Sequence, residues 1–175
     1  MMISIISATN RRNSNTLNVA REIERFISEI GPAPAFFNLE DLPGNLFVPE
    51  MYTDDKSEAF KKIEKEILIP SQKFVFVLPE YNGSYPGILK AMMDASDIKK
   101  CWYNKKALLI GVADGRAGNL RGMDHLTGVL NYMRVSVYHD KLPISKIESL
   151  MENGQFIDDD TLRTVKKLLH EFIQF

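Results

Sequence analysis

Three stretches of this 175-residue sequence gather groups that can hold an anion and a flat polar ligand. The first is TNRRNSNT, residues 9–16, which follows a short apolar run and opens a helical pattern. The start of a helix leaves backbone N–H groups unpaired and carries the positive end of the dipole, so it favours a phosphate. Thr9, Ser14, Asn15 and Thr16 add hydroxyl and amide donors, and Arg11 adds charge-assisted ones. The loop has neither the glycines and lysine of a Walker loop nor the G-x-G-x-x-G dinucleotide pattern. The same residues also fit a loop without a ligand, in which Ser14 or Asn15 caps the helix while Arg11 and Arg12 are solvated. The second stretch, EYNGSY (80–85), stands between an apolar run ending at Pro79 and a helical pattern opened by Pro86. The third, DGRAGN (114–119), places Gly115 and Gly118 where backbone can approach a flat ligand or take a positive φ. Its plainer reading is a strand-to-helix turn with Asn119 as the helix cap.

The elements that must position these loops alternate along the chain. Short apolar, β-branched runs at 2–8, 35–39, 73–79, 106–113 and 135–139 predict five strands. Leu17, Ala20, Ile23, Ile27 and Ile30 share one face of a first helix, which Gly31 and Pro32 stop. A charged helix over 57–68, a helix after Pro86, a helix ending near 132 and a C-terminal helix complete the pattern. In the last, Leu162, Val165, Leu168, Leu169, Phe172 and Ile173 recur at helical spacing, and residues 158–160 put negative charge at its start. Residues 40–56 read as a long loop. Phe47, Val48, Met51 and Tyr52 in that loop carry apolar groups without an evident core partner. Alternation of this kind predicts one parallel sheet covered on both faces, within a single domain spanning 1–175. Ligands of such sheets bind at the carboxyl ends of the strands. That places the three polar loops on one edge.

Composition narrows the partners. Apolar residues make up 45% and charged residues 26%, as in folded globular proteins. A net charge of −1 gives no electrostatic reason to expect a nucleic acid or an anionic membrane. The lysines and aromatics of 97–106 read as a solvated connection. Cys101 is the only cysteine, which excludes an internal disulfide and is consistent with a reducing, cytoplasmic setting. No basic leader or membrane-length apolar stretch is evident. His125, His139 and His170 show no ligand spacing with one another or with Cys101, so no metal site is expected. Ser84 is misplaced for a hydrolase elbow.

Taken together, ISATNRRNSNTLNVA, PEYNGSYPGILKAMMD and GVADGRAGNLRGMDHL resemble the NADPH-dependent FMN reductases of the flavodoxin-like fold. The resemblance covers nearly the whole chain, in order. It implies a three-layer α/β sandwich with a five-stranded parallel sheet in the order 2-1-3-4-5. It also implies FMN as the cofactor, NADPH or NADH as the donor, a small-molecule acceptor, and assembly as a homodimer or homotetramer. Carried over, Thr9, Arg11, Ser14, Asn15 and Thr16 hold the FMN phosphate. Pro79, Glu80, Tyr81 and Asn82 hold the ring edge, largely through backbone groups, and Ala113, Asp114, Gly115 and Gly118 flank its other side. The cofactor carries the chemistry, so no catalytic protein residue is expected. Two alternatives are a non-catalytic FMN electron carrier and a flavin-free nucleoside transferase of the same fold using Glu80 as nucleophile. Ala8, Asp114 and Asn119 depart from the small residues or glycines common in the family. A negative charge at Asp114 would disfavour a reduced, anionic flavin.

Overall fold

The computed structural model describes residues 2–175. Its centre is strand β3 (Lys73–Pro79), buried at every residue. In parallel it pairs with β1 (Ile3–Ser7) on one side and β4 (Lys106–Val112) on the other. Outside β1 lies β2 (Ala35–Asn38), and outside β4 lies β5 (Ser136–Val137), giving the order β2-β1-β3-β4-β5. This is the flavodoxin-like arrangement that the family resemblance implies. The run at 135–139 does not form one continuous strand, however. β5 pairs with the first residues of β4, the chain leaves the sheet, and β6 (Leu142–Ile144) pairs with the last three residues of β4. Among the described residues, no helix is long and apolar enough to cross a membrane.

Helices cover both faces. On one lie α1 (Asn15–Ile30) and α6 (Asp159–Gln174), whose apolar stripes pack on Ile5, Val75, Val77, Leu108 and Ile110. The buried face of α1 is Thr16, Val19, Ala20, Ile23, Phe26 and Ile27, while Ile30 lies exposed in the last turn. Glu22 of the same helix is also buried. It accepts a forked pair of bonds from Arg25 at 2.9 and 3.0 Å, and Phe156 N–H reaches it at 3.4 Å. That contact seats on α1 a hairpin of β7 (Met151–Glu152) and β8 (Gln155–Phe156), which the sequence pattern did not reveal. The other face carries α2 (Glu58–Ile63), continued by a π-turn over Glu64–Leu68, then α3 (Gly87–Ala95), α4 (Ile98–Cys101) and α5 (Leu120–Tyr132).

Two expectations are corrected here. Residues 97–106 are not merely a solvated connection. Asp97 caps α4 through Lys99 and Lys100 N–H, and Cys101, Trp102 and Lys105 are buried. The Trp102 ring lies tilted against Phe74 with centroids 5.1 Å apart and donates to Ser96 Oγ at 2.7 Å, because an indole N–H needs a partner inside a core. Burial pushes the Cys101 thiol up to about 12. In the 40–56 segment, short helical turns at Leu39–Asp41 and Pro49–Tyr52 send Leu46 and Met51 into the core. Phe47 and Tyr52 stay outside, at 67% and 71% exposure.

Lysines close the opposite end of the sheet from the polar loops. Lys105 Nζ donates to Leu68 and Ile69 O at 2.6 and 2.8 Å, and Lys73 Nζ to Phe172 and Ile173 O at 3.1 and 2.7 Å. Each ammonium meets carbonyls in the last turn of a helical segment, where positive charge also suits the dipole. Desolvation lowers the pKa of both lysines. Lys105→Met keeps an apolar stem but strands two carbonyls. It should therefore cost ~1.5–3 kcal/mol, seen as a lower urea midpoint at unchanged slope. An unchanged midpoint would mean that water satisfies those carbonyls.

Candidate functional site

At the carboxyl ends of β1, β3 and β4 lies a cleft of about 510 Å³. That size falls within the range of small-molecule sites. Arg11, Ser14, Asn15 and Thr16 line it, as do Pro79, Glu80, Tyr81 and Asn82, and Ala113, Asp114 and Gly115. The fold thus brings eleven of the thirteen predicted residues to one cavity.

The anion end is built by the start of α1. Ser14 is the helix cap, its Oγ accepting from Leu17 N–H at 3.1 Å. The amides of Asn15 and Thr16 lie ahead of the first helical bonds and find no acceptor among the described residues. Arg12 pairs with Glu40 at 3.2 Å, whereas Arg11, exposed at the cleft, makes no ion pair among the described residues. One wall therefore presents free N–H donors, a hydroxyl-bearing turn and an uncommitted guanidinium.

The second wall is a tight hairpin. Tyr81 and Ser84 exchange backbone bonds of 2.9 and 3.0 Å, and between them Asn82 and Gly83 take φ of 53° and 73°. Two successive positive φ values define a type I′ turn, for which Asn followed by Gly is the favoured pair. The polar stretch after Pro79 is thus first of all a turn, and it points the N–H groups of Asn82 and Gly83 away from their own hairpin. Tyr81 Oη lies 2.7 Å from Thr9 Oγ1, which also accepts from Arg11 N–H at 3.1 Å. Thr9 is 1% exposed and stands behind the cleft, tying the first loop to the second.

The third wall differs most from what the sequence suggests. Ala113 uses both its N–H and its carbonyl on Ile144 and Ile147, and Gly115 O accepts from Lys146 N–H. This pairing brings Ile147 and Glu148 into the cleft, two residues that no motif announced. Gly118 does not line the cavity. Its φ is +54°, and a Cβ there would stand 2.6 Å from Pro143, so its lack of a side chain serves packing against β6. Asn119 does not cap α5 through its side chain. Arg12, Asn13, Gly83 and Val112 complete the lining.

With this geometry in place, comparison with known proteins defines the class. Residues 1–148 match the model of the NADPH-dependent FMN reductases. The chain belongs to that family and is an oxidoreductase using FMN and NAD(P)H. A 2-hydroxy-1,4-benzoquinone reductase from Burkholderia sp. is 23% identical, covering 98% of this chain and 94% of the relative. An NAD(P)H-dependent FMN reductase from Pseudomonas aeruginosa is 25% identical, covering 98% and 90%. Among solved structures, a flavoenzyme NAD(P)H:(acceptor) oxidoreductase from Paracoccus denitrificans superposes with a TM-score of 0.81 at 19% identity. It covers 99% of this chain and 95% of that one. The cleft fits FMN on its own evidence: unpaired amides and Arg11 suit a phosphate, and outward backbone groups at the hairpin suit a ring edge.

Because the Thr9–Tyr81 bond joins two walls, a double-mutant cycle reads it directly. Thr9→Val and Tyr81→Phe should show a coupling energy of about 0.5–1.5 kcal/mol in urea unfolding. Strict additivity would mean that each hydroxyl bonds water instead.

Proposed function

We propose that this protein is one FMN-binding domain spanning 1–175 that uses NADH or NADPH to reduce a free flavin, a quinone or another small acceptor. The carrying observation is the joining, in a single cleft, of the open start of α1 with Arg11 and the hairpin at 81–84. The quinone reductase names of relatives favour a quinone as acceptor. When bound, FMN supplies the two-electron chemistry, accepting hydride from nicotinamide and delivering electrons onward. The chain's own work is to bind and orient. Arg11, Ser14, Asn15 and Thr16 take the phosphate, with Thr9 holding the loop from behind. Residues 79–82 meet one side of the ring, and Ala113, Asp114 and Gly115 the other. The buried, lone Cys101 is consistent with a cytoplasmic setting. Mass spectrometry of the flavin released from purified protein should give FMN, and finding FAD would sink the reading. Arg11→Ala should lose ~1.5–3 kcal/mol, or roughly 10- to 100-fold, in FMN affinity without lowering the thermal midpoint of the flavin-free form. An unaltered titration would return Arg11 to solvent.

The same reading includes a homodimer or homotetramer. Phe47 and Tyr52 are each exposed on a segment whose Leu46 and Met51 anchor it to the core, and exposed apolar groups held in this way suit an interface. Light scattering at micromolar concentration should report at least twice the 20.0 kDa chain mass, and a clean monomer would refute assembly.

A further inference from the structure

We infer that Asn119 is a positioning residue, whose carboxamide fixes the end of β3 from which residues 79–83 enter the cleft; the inference rests on the FMN reading above. Asn119 is fully buried, just ahead of α5, with φ 61° and ψ 32°. Its side chain turns away from the first amides of α5. Instead Nδ2 donates to Pro79 O at 2.8 Å and to Leu78 O at 3.2 Å. Pro79 is the last residue of β3 and lines the cleft. On the β1 side the ladder ends with Ala8 N–H bonded to Val77 O, so the Pro79 carbonyl lies past the last strand partner there. Asn119 supplies that carbonyl with a donor from the α5 side of the sheet.

The surroundings are shaped around this contact. A Cβ on Gly122 would stand 2.1 Å from Asn119 Oδ1 and 2.8 Å from the Ser84 carbonyl carbon. One on Gly111 would stand 3.1 Å from Asn119 Cβ. Gly122 therefore leaves space for the carboxamide beside the hairpin, and Gly111, where a Cβ would stand 2.1 Å from Gly118 O, lets the loop that carries Asn119 lie close against β4. Asn also tolerates the left-handed backbone better than most residues. The arrangement has a cost, because Asn119 Oδ1 is buried without a hydrogen-bond partner. An ordinary cap for α5 would avoid that orphan oxygen but would leave the end of β3 untied. Since Glu80, Tyr81, Asn82 and Gly83 follow directly, their placement against a ligand depends on where Pro79 is held.

Asn119→Asp keeps the shape but replaces the NH2 donor by an oxygen acceptor facing two carbonyls. Asn119→Gly suits the backbone and removes the side chain. FMN is titrated into flavin-free wild type and both variants, well below their thermal midpoints, following flavin fluorescence and the visible spectrum. Both variants should bind roughly tenfold more weakly or worse, with a shifted bound-flavin spectrum. Wild-type affinity and spectrum in Asn119→Gly would overturn the assignment, whatever Asn119→Asp does. Should neither variant fold, the Asn119 carboxamide protons of the unmodified flavin-free protein decide: slow exchange with solvent supports the tie and fast exchange overturns it. Failure of wild type to bind FMN would instead sink the FMN reading and leave the tie to be judged by that exchange alone.

Discussion

Backbone polar groups that run out of partners must find them elsewhere, and the two ends of this sheet answer that requirement in opposite ways. At the end where strands begin, helices finish and expose carbonyls. Lys73 and Lys105 take those carbonyls inside the protein, and Lys106 reaches the Phe175 carbonyl. At the end where strands finish, helices begin and expose N–H groups. There the chain ties down some groups, through Ser14 at α1 and the Ile144 and Ile147 bonds to Ala113, and leaves others open. The closed end gives rigidity, and the open end gives an anion-receptive edge. A βα unit needs no special residues to produce that polarity, only side chains that close one end and spare the other.

This polarity explains why so much of the site was legible in the sequence. Strand-end loops rich in donors stand out because a bare connection would not need them. A parallel sheet also follows from alternation, right-handed crossovers leave it few topologies, and the order 2-1-3-4-5 is what the family resemblance implies. What stayed hidden was long-range pairing. Ile147 and Glu148 reach the cleft because Lys146 N–H bonds Gly115 O, a contact across the sheet edge that leaves no local pattern. The hairpin at 151–156 is too short for a period-2 signal, and it is placed by the buried Glu22 of α1. Met51 looked unpartnered because its partners lie across the chain. Trp102 looked solvent-facing because its neighbours in sequence are charged. Gly118 shows the converse error, since a glycine chosen for close packing reads the same as one chosen for a ligand.

The charge around the cleft also bears on its chemistry. Arg11 and Arg12 flank the start of α1, while Glu80, Asp114 and Glu148 lie on the other walls. Opposite signs at opposite walls orient a ligand that is anionic at one end only.

The divided fifth strand has a consequence for life at high concentration. β5 and β6 form the edge of the sheet beyond β4 in pieces of two and three residues. Between them, exposed His139 and Asp140 step out of line, and Pro143 removes one N–H from the outer piece. A continuous five-residue edge would offer neighbouring molecules an unbroken row of donors and acceptors. Short pieces, a charged interruption and a proline are devices that discourage edge-to-edge association. The same break that blurs the fifth strand in the sequence thus lowers the risk that sheets of separate molecules join into aggregates.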